Sequence, residues 1–102
     1  MAGLLGVETS VLHKGPYDVE IRSRGRRFFV EVKTALRRAK LLDRVRSAFR
    51  REHPEPFAVV GVLGFRRAWE LPGWAWVWLE PPPARFWPIT SLRPWKLLGV
   101  IP

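Results

Sequence analysis

Apolar and polar residues alternate along residues 17–22, with Tyr17, Val19 and Ile21 set against Asp18, Glu20 and Arg22. They alternate again along 28–33, with Phe28, Val30 and Val32 against Phe29, Glu31 and Lys33. A period of two in β-branched and aromatic residues predicts two strands. Arg24-Gly25 lies between them and predicts a two-residue hairpin loop, because glycine accepts the positive φ that such turns need. A loop at those two residues would set Asp18 opposite Glu31, both on one face.

The period then changes. Leu36, Ala39, Leu42, Val45 and Phe49 recur at steps of three and four, and Leu41 and Ala48 widen the stripe. This predicts an amphipathic helix over 35–52, with Thr34 as its N-cap and His53-Pro54 as its stop. Residues 57–65 form a continuous apolar run, the pattern of a central strand covered on both faces. Strand, helix, strand implies a right-handed crossover. Residues 74–79 alternate once more, Trp74, Trp76 and Trp78 against Ala75, Val77 and Leu79, and Glu80-Pro81-Pro82-Pro83 ends that strand. A short strand over 6–12, carrying Glu8, precedes a turn at Lys14-Gly15-Pro16, and His13 just before that turn reads as a surface residue. The predicted fold is α/β: a mixed, mostly antiparallel sheet flanked by one long helix, in a single domain over residues 1–102.

Composition sharpens this. A chain of 102 residues with 47% hydrophobic content holds one domain with a core of its own. The absence of cysteine excludes disulfides and thiolate metal sites. No apolar run is long enough to span a bilayer, and the start lacks the basic segment of a signal peptide, so the expectation is a cytoplasmic protein with no membrane partner. Arg- and Pro-rich composition with few amide residues points to a thermophile or a GC-rich genome.

The net charge of +9 favours a polyanionic partner, DNA or RNA. It concentrates on the predicted helix, where Arg37, Arg38, Lys40, Arg44, Arg46, Arg50 and Arg51 are offset locally only by Asp43 and Glu52. This face is read as phosphate-contacting, with Arg37, Arg38, Lys40, Arg44 and Arg51 the candidate nucleic-acid contacts. The helix also begins just after Lys33, which would aim its positive end near that residue. Six tryptophans are many for a core of this size. The tail, residues 84–102, is expected to fold over the Trp74/Trp76/Trp78 face, with a homodimer interface or base stacking as other uses for those rings.

The hairpin carries the candidate chemistry. Asp18 opposite Glu31 places like charges together, which is destabilising, and Lys33 only partly offsets Asp18, Glu20 and Glu31. One resolution is a divalent metal, since Mg²⁺ takes one or two carboxylates and completes its shell with water and phosphate oxygens. The other is a solvated hairpin face of mixed charge. Glu8 is either a further ligand or a surface glutamate.

The pattern Tyr17-Asp18, a short hairpin, then Glu31-Val32-Lys33-Thr34 resembles the PD-(D/E)XK nuclease superfamily, with the restriction-endonuclease-like fold. Residues 7–35 are similar to the group that includes intron-encoded endonucleases and Holliday junction resolvases, and the order of elements extends the likeness to about residue 80. The proline of the motif is present as Pro16, but Tyr17 stands between it and Asp18, and there is almost no room for an N-terminal helix before Glu8. The resemblance implies a metal-dependent endonuclease acting on DNA. Asp18 and Glu31, with Glu8 and Glu20 as lesser candidates, would hold Mg²⁺ or Mn²⁺, and Asp18, Glu31 and Lys33 would be catalytic. Two readings of other classes stand beside it: a non-catalytic nucleic-acid-binding module, and a dimeric structural or accessory protein.

Overall fold

The computed structural model describes residues 7–12, 15, 17–53, 56–64 and 74–102. His13, Pro16, Pro54, Trp69 and the end of the apolar run at Phe65 lie outside them. Among the described residues six strands follow one another in a single sheet in chain order: β1 (Glu8–Val11), β2 (Val19–Ser23), β3 (Arg26–Ala35), β4 (Phe57–Leu63), β5 (Ala75–Trp78) and β6 (Phe86–Pro88). Helix α1 (Arg38–Phe49) joins β3 to β4, and α2 (Arg93–Leu98) follows β6. β3 and β4 are parallel, and every other neighbouring pair is antiparallel. The mixed α/β sheet is the expected architecture.

The β2–β3 hairpin has the predicted register. Arg24 (φ 57°) and Gly25 (φ 74°) both take left-handed conformations, the requirement of a tight turn whose twist matches the strands. Val19 pairs with Val30, Ile21 with Phe28 and Ser23 with Arg26. The ladder stops at Val19, and Asp18 N–H bonds the Val30 carbonyl rather than pairing with Glu31. The alternation fails at Tyr17, however. Its ring packs in the cluster beneath α1 rather than with Val19 and Ile21 on the other face, because β2 begins only at Val19.

The helix starts later than predicted. Parallel pairing with β4 carries β3 through Thr34, opposite Val62, to Ala35, opposite Leu63. Thr34 is therefore spent in the ladder, and the N-cap is Arg37, in extended conformation with no side-chain capping bond. Leu36 is left 69% exposed. The buried stripe is Leu41, Val45 and Ala48, each facing the sheet; burial of a side chain the size of Leu41 contributes roughly 1.5–3 kcal/mol.

Two cores result, one on each side of the sheet. Under α1, the stripe meets Ala35, Phe57, Val59 and Trp78. On the opposite face, Ile21, Phe28, Val30, Val60, Val62 and Val77 meet Val100 and Ile101 from the C-terminal end. β4 is covered on both faces, as its continuous apolar sequence requires.

The tail takes a different course from the one predicted. β6 pairs alongside β5, Val77 opposite Trp87 and Trp78 opposite Phe86, and Pro88, which cannot donate to a ladder, stands on this edge strand. The chain then covers the Ala75/Val77 face, where Trp95 and Leu98 of α2 pack. Ser23 Oγ donates to the Val100 carbonyl at 2.5 Å and ties this end to β2. Trp76 and Trp78 lie beneath α1 instead. With Trp78 3% exposed, that aromatic row is spent largely on the helix. No helix among the described residues is long and apolar enough to cross a membrane.

Candidate active site

Asp18 sits where the β2–β3 ladder runs out. Its backbone N–H donates to the Val30 carbonyl at 3.0 Å, and its own carbonyl accepts from Leu12 N–H at 2.9 Å. Beyond this point Val32 N–H has no strand to bond. The Asp18 carboxylate takes the place of one, with Oδ2 accepting from Val32 N–H at 2.7 Å. An exposed carboxylate is thus fixed at the residue between Glu31 and Lys33.

Glu31 points to the α1 side of the sheet and is 4% exposed. Its Oε1 lies 2.9 Å from Lys33 Nζ, and its Oε2 pairs with Arg51 Nη2. α1 runs back along β3 before the chain enters the parallel strand β4. The end of the helix that reaches Glu31 is therefore its C-terminal end, through Arg51, and not its positive N-terminus. The repulsion expected between Asp18 and Glu31 is answered by Lys33, Arg51 and the Val32 amide.

The lesser carboxylates stand apart. Glu20 is buried and paired with Arg27 Nε, with Arg22 Nη2 at 3.6 Å. The Arg27 hydrogen bond holds its carboxyl below the ordinary range against the opposing effect of burial. Glu8 lies opposite Arg22. From Arg22 back to Asp18 is about 13 Å of strand at roughly 3.3 Å per residue, so the fold does not bring Glu8 to Asp18.

Tyr17 and His53 were not singled out by the sequence, yet they frame the site. The Tyr17 hydroxyl lies 2.8 Å from His53 Nδ1, and His53 Nε2 lies 2.5 Å from the Ala48 carbonyl. Facing a carbonyl, Nε2 carries the proton, so Nδ1 accepts from the tyrosine. The imidazole stacks on Phe57 at 3.6 Å. Burial raises the Tyr17 pKa, and of the nearby charges Arg51 lowers it while Glu31 raises it. A tyrosine just before the motif aspartate and a histidine just after the helix were the only traces in the sequence.

The predicted phosphate contacts separate into three places. Lys40 and Arg44 line a shallow hollow of about 410 Å³ together with Lys33, Asp43 and Ser47. Arg37 continues this basic flank beside Ala35 and Leu36, and Arg44 Nη1 is fixed to the Thr34 carbonyl at 2.9 Å. Arg38 is on the other flank of α1, at an apolar hollow of about 190 Å³ with Leu42, Arg46, Trp76, Trp78 and Phe86. Arg51 is engaged by Glu31.

Asp18 and Glu31 offer carboxylate oxygens, the donor type that a hard divalent cation takes. Among the described residues no group of three His, Cys, Asp or Glu side chains assembles to cage a metal. A cation held by two carboxylates would have to complete its shell with water and other oxygen donors. No protein-family model, curated protein or solved structure matches this chain.

Proposed function

We propose that the protein is a metal-dependent nuclease that hydrolyses DNA phosphodiester bonds, built on the restriction-endonuclease-like plan that its Asp18…Glu31-Val32-Lys33 pattern resembles. The observation that carries this reading is the hydrogen bond from Val32 N–H to Asp18 Oδ2. It draws one carboxylate to the residue between the second carboxylate and the lysine. Asp18 at the start of one strand, Glu31 and Lys33 on the next, then a helix and further strands also follow the order of elements that the resemblance implies.

Asp18 and Glu31 would hold Mg²⁺ or Mn²⁺. Such an ion, when bound, polarises the phosphate and lowers the pKa of an attacking water. Lys33 is held by Glu31 at 2.9 Å with its side chain one-third exposed. Its ammonium is anchored on one side and open on the other, ready to donate to a phosphate oxygen as negative charge develops there. Lys40 and Arg44, around the same hollow, receive the neighbouring phosphates. Contacts of that kind position the backbone without reading sequence.

A second reading, a nucleic-acid-binding module without catalysis, is favoured by one observation: both oxygens of Glu31 already meet cations of the chain. One experiment separates the two. Duplex, branched and single-stranded DNA are offered with Mg²⁺ or Mn²⁺ to the wild type and to Lys33→Ala. The nuclease reading expects the variant to bind DNA about as well as the wild type and to cleave it on the order of 10²–10³-fold more slowly. Salt-dependent binding by the wild type with no cleavage of any form would leave the binding module.

A further inference from the structure

Glu31 is a buried carboxylate flanked by two cations that differ in how they are held. Lys33 projects from β3, where that strand is paired with β4 opposite Gly61. Arg51 lies beyond the last residue of α1 and beyond its C-cap, Arg50, and its side chain is 45% exposed. A divalent ion at Asp18 and Glu31 would meet both positive groups at close range, in a site where burial of Glu31 weakens solvent screening. Something must give way, and a side chain on an exposed helix end moves at less cost than one on a central strand.

We infer that Arg51 is a resident counter-ion for Glu31 that a divalent cation displaces, and that the released guanidinium then becomes a contact for a DNA phosphate. The inference rests on the metal-dependent reading of the same site. It reconciles two roles for Arg51: the phosphate contact expected from the basic face of the helix, and the Glu31 partner found in the structure. Without metal, Arg51 keeps a buried carboxylate compensated. With metal, the ion takes over that task, and a guanidinium suited to bidentate phosphate recognition becomes available beside the scissile bond. Metal binding and DNA binding are then coupled through one side chain, and the coupling is reciprocal.

The test is Mn²⁺ titration by calorimetry, without DNA, into the wild type, Arg51→Ala and Arg51→Gln, with melting curves for each. Arg51→Gln keeps most of the side chain's bulk and a hydrogen-bond donor, and guards against loss of folding in the alanine variant. Displacement predicts that the metal-free variants melt below the wild type. It also predicts that they bind Mn²⁺ at least tenfold more tightly and regain more melting temperature on adding it. Binding by the variants alone, with none by the wild type, supports the same conclusion. Equal Mn²⁺ affinity in all three proteins overturns it, since a merely structural Arg51 would change the melting temperature and leave the affinity alone; the nuclease reading would survive that result. Absence of Mn²⁺ binding in all three folded proteins removes this inference together with the metal-dependent reading.

Discussion

The Tyr17 hydroxyl donates to His53 Nδ1 across 2.8 Å, which joins the residue before Asp18 to the segment that leaves α1. His53 in turn donates to the Ala48 carbonyl near the helix end. The start of β2 and the end of α1 are thereby clasped together, and Glu31 with Arg51 lies at the same junction.

Tyr17→Phe keeps the ring contacts with Phe29 and Phe57 but leaves the imidazole acceptor unpaired in a half-buried place. Loss of a partner under those conditions costs about 1–3 kcal/mol. Urea unfolding should show the variant destabilised by an amount in that range, with the slope against denaturant unchanged. A midpoint equal to that of the wild type would mean that the clasp adds nothing to stability.

Gly61 has a steric reason to be glycine. A Cβ built there would stand 2.7 Å from Trp78 Cζ3 and 3.3 Å from Leu41 Cδ1, so the indole and the helix both close onto bare backbone of β4. Gly61→Ala should overpack this layer and destabilise by roughly 1–3 kcal/mol. Chemical unfolding measures the cost, and tryptophan fluorescence of the folded variant reports whether Trp78 has shifted. A variant as stable as the wild type, with unchanged emission, would show that the layer relaxes freely.

Glu20 gives the acid dependence a sign. Its carboxyl is held below the ordinary range, chiefly by the Arg27 hydrogen bond. A lowered folded-state pKa contributes stability that is full above the unfolded carboxylate value, about 4.3, and lost as pH falls through the folded value. Glu20→Gln should therefore melt below the wild type at pH 7, and the gap should close as pH falls below the ordinary carboxylate range. A gap of constant size across that range would assign the loss to packing and not to the ion pair.

Much of this arrangement is local and therefore legible in sequence. The β2–β3 register follows from the alternation of apolar residues and from a turn of two residues, both properties of adjacent positions, although the ladder stops short of setting Asp18 against Glu31. β4 was legible because a strand covered on both faces has an unbroken apolar sequence. The failures are where a distant partner decided. Thr34 is a good N-cap by type, but its pairing with Val62 took it into β3. Trp76 and Trp78 have the spacing of a face without any indication of which layer would cover it, and α1 took the place assigned to the tail. Arg51 looked like one more cation of a basic helix until the return of α1 along β3 brought it to Glu31. Residue type foretold the charge of the site, while tertiary closure decided which charge met which.

The brevity of the β2–β3 turn has a consequence for how this chain can vary. Arg24 and Gly25 leave no slack between the strands. One residue inserted there would shift β3 by a single step against β2, and a single step reverses the face on which each side chain emerges. If β3 yielded, Glu31 and Lys33 would turn toward the layer now filled by Val100 and Ile101, and Phe28 and Val30 would turn toward α1. If β2 yielded, Asp18 would move off the Val32 amide. In this turn the number of residues is itself inherited with the site.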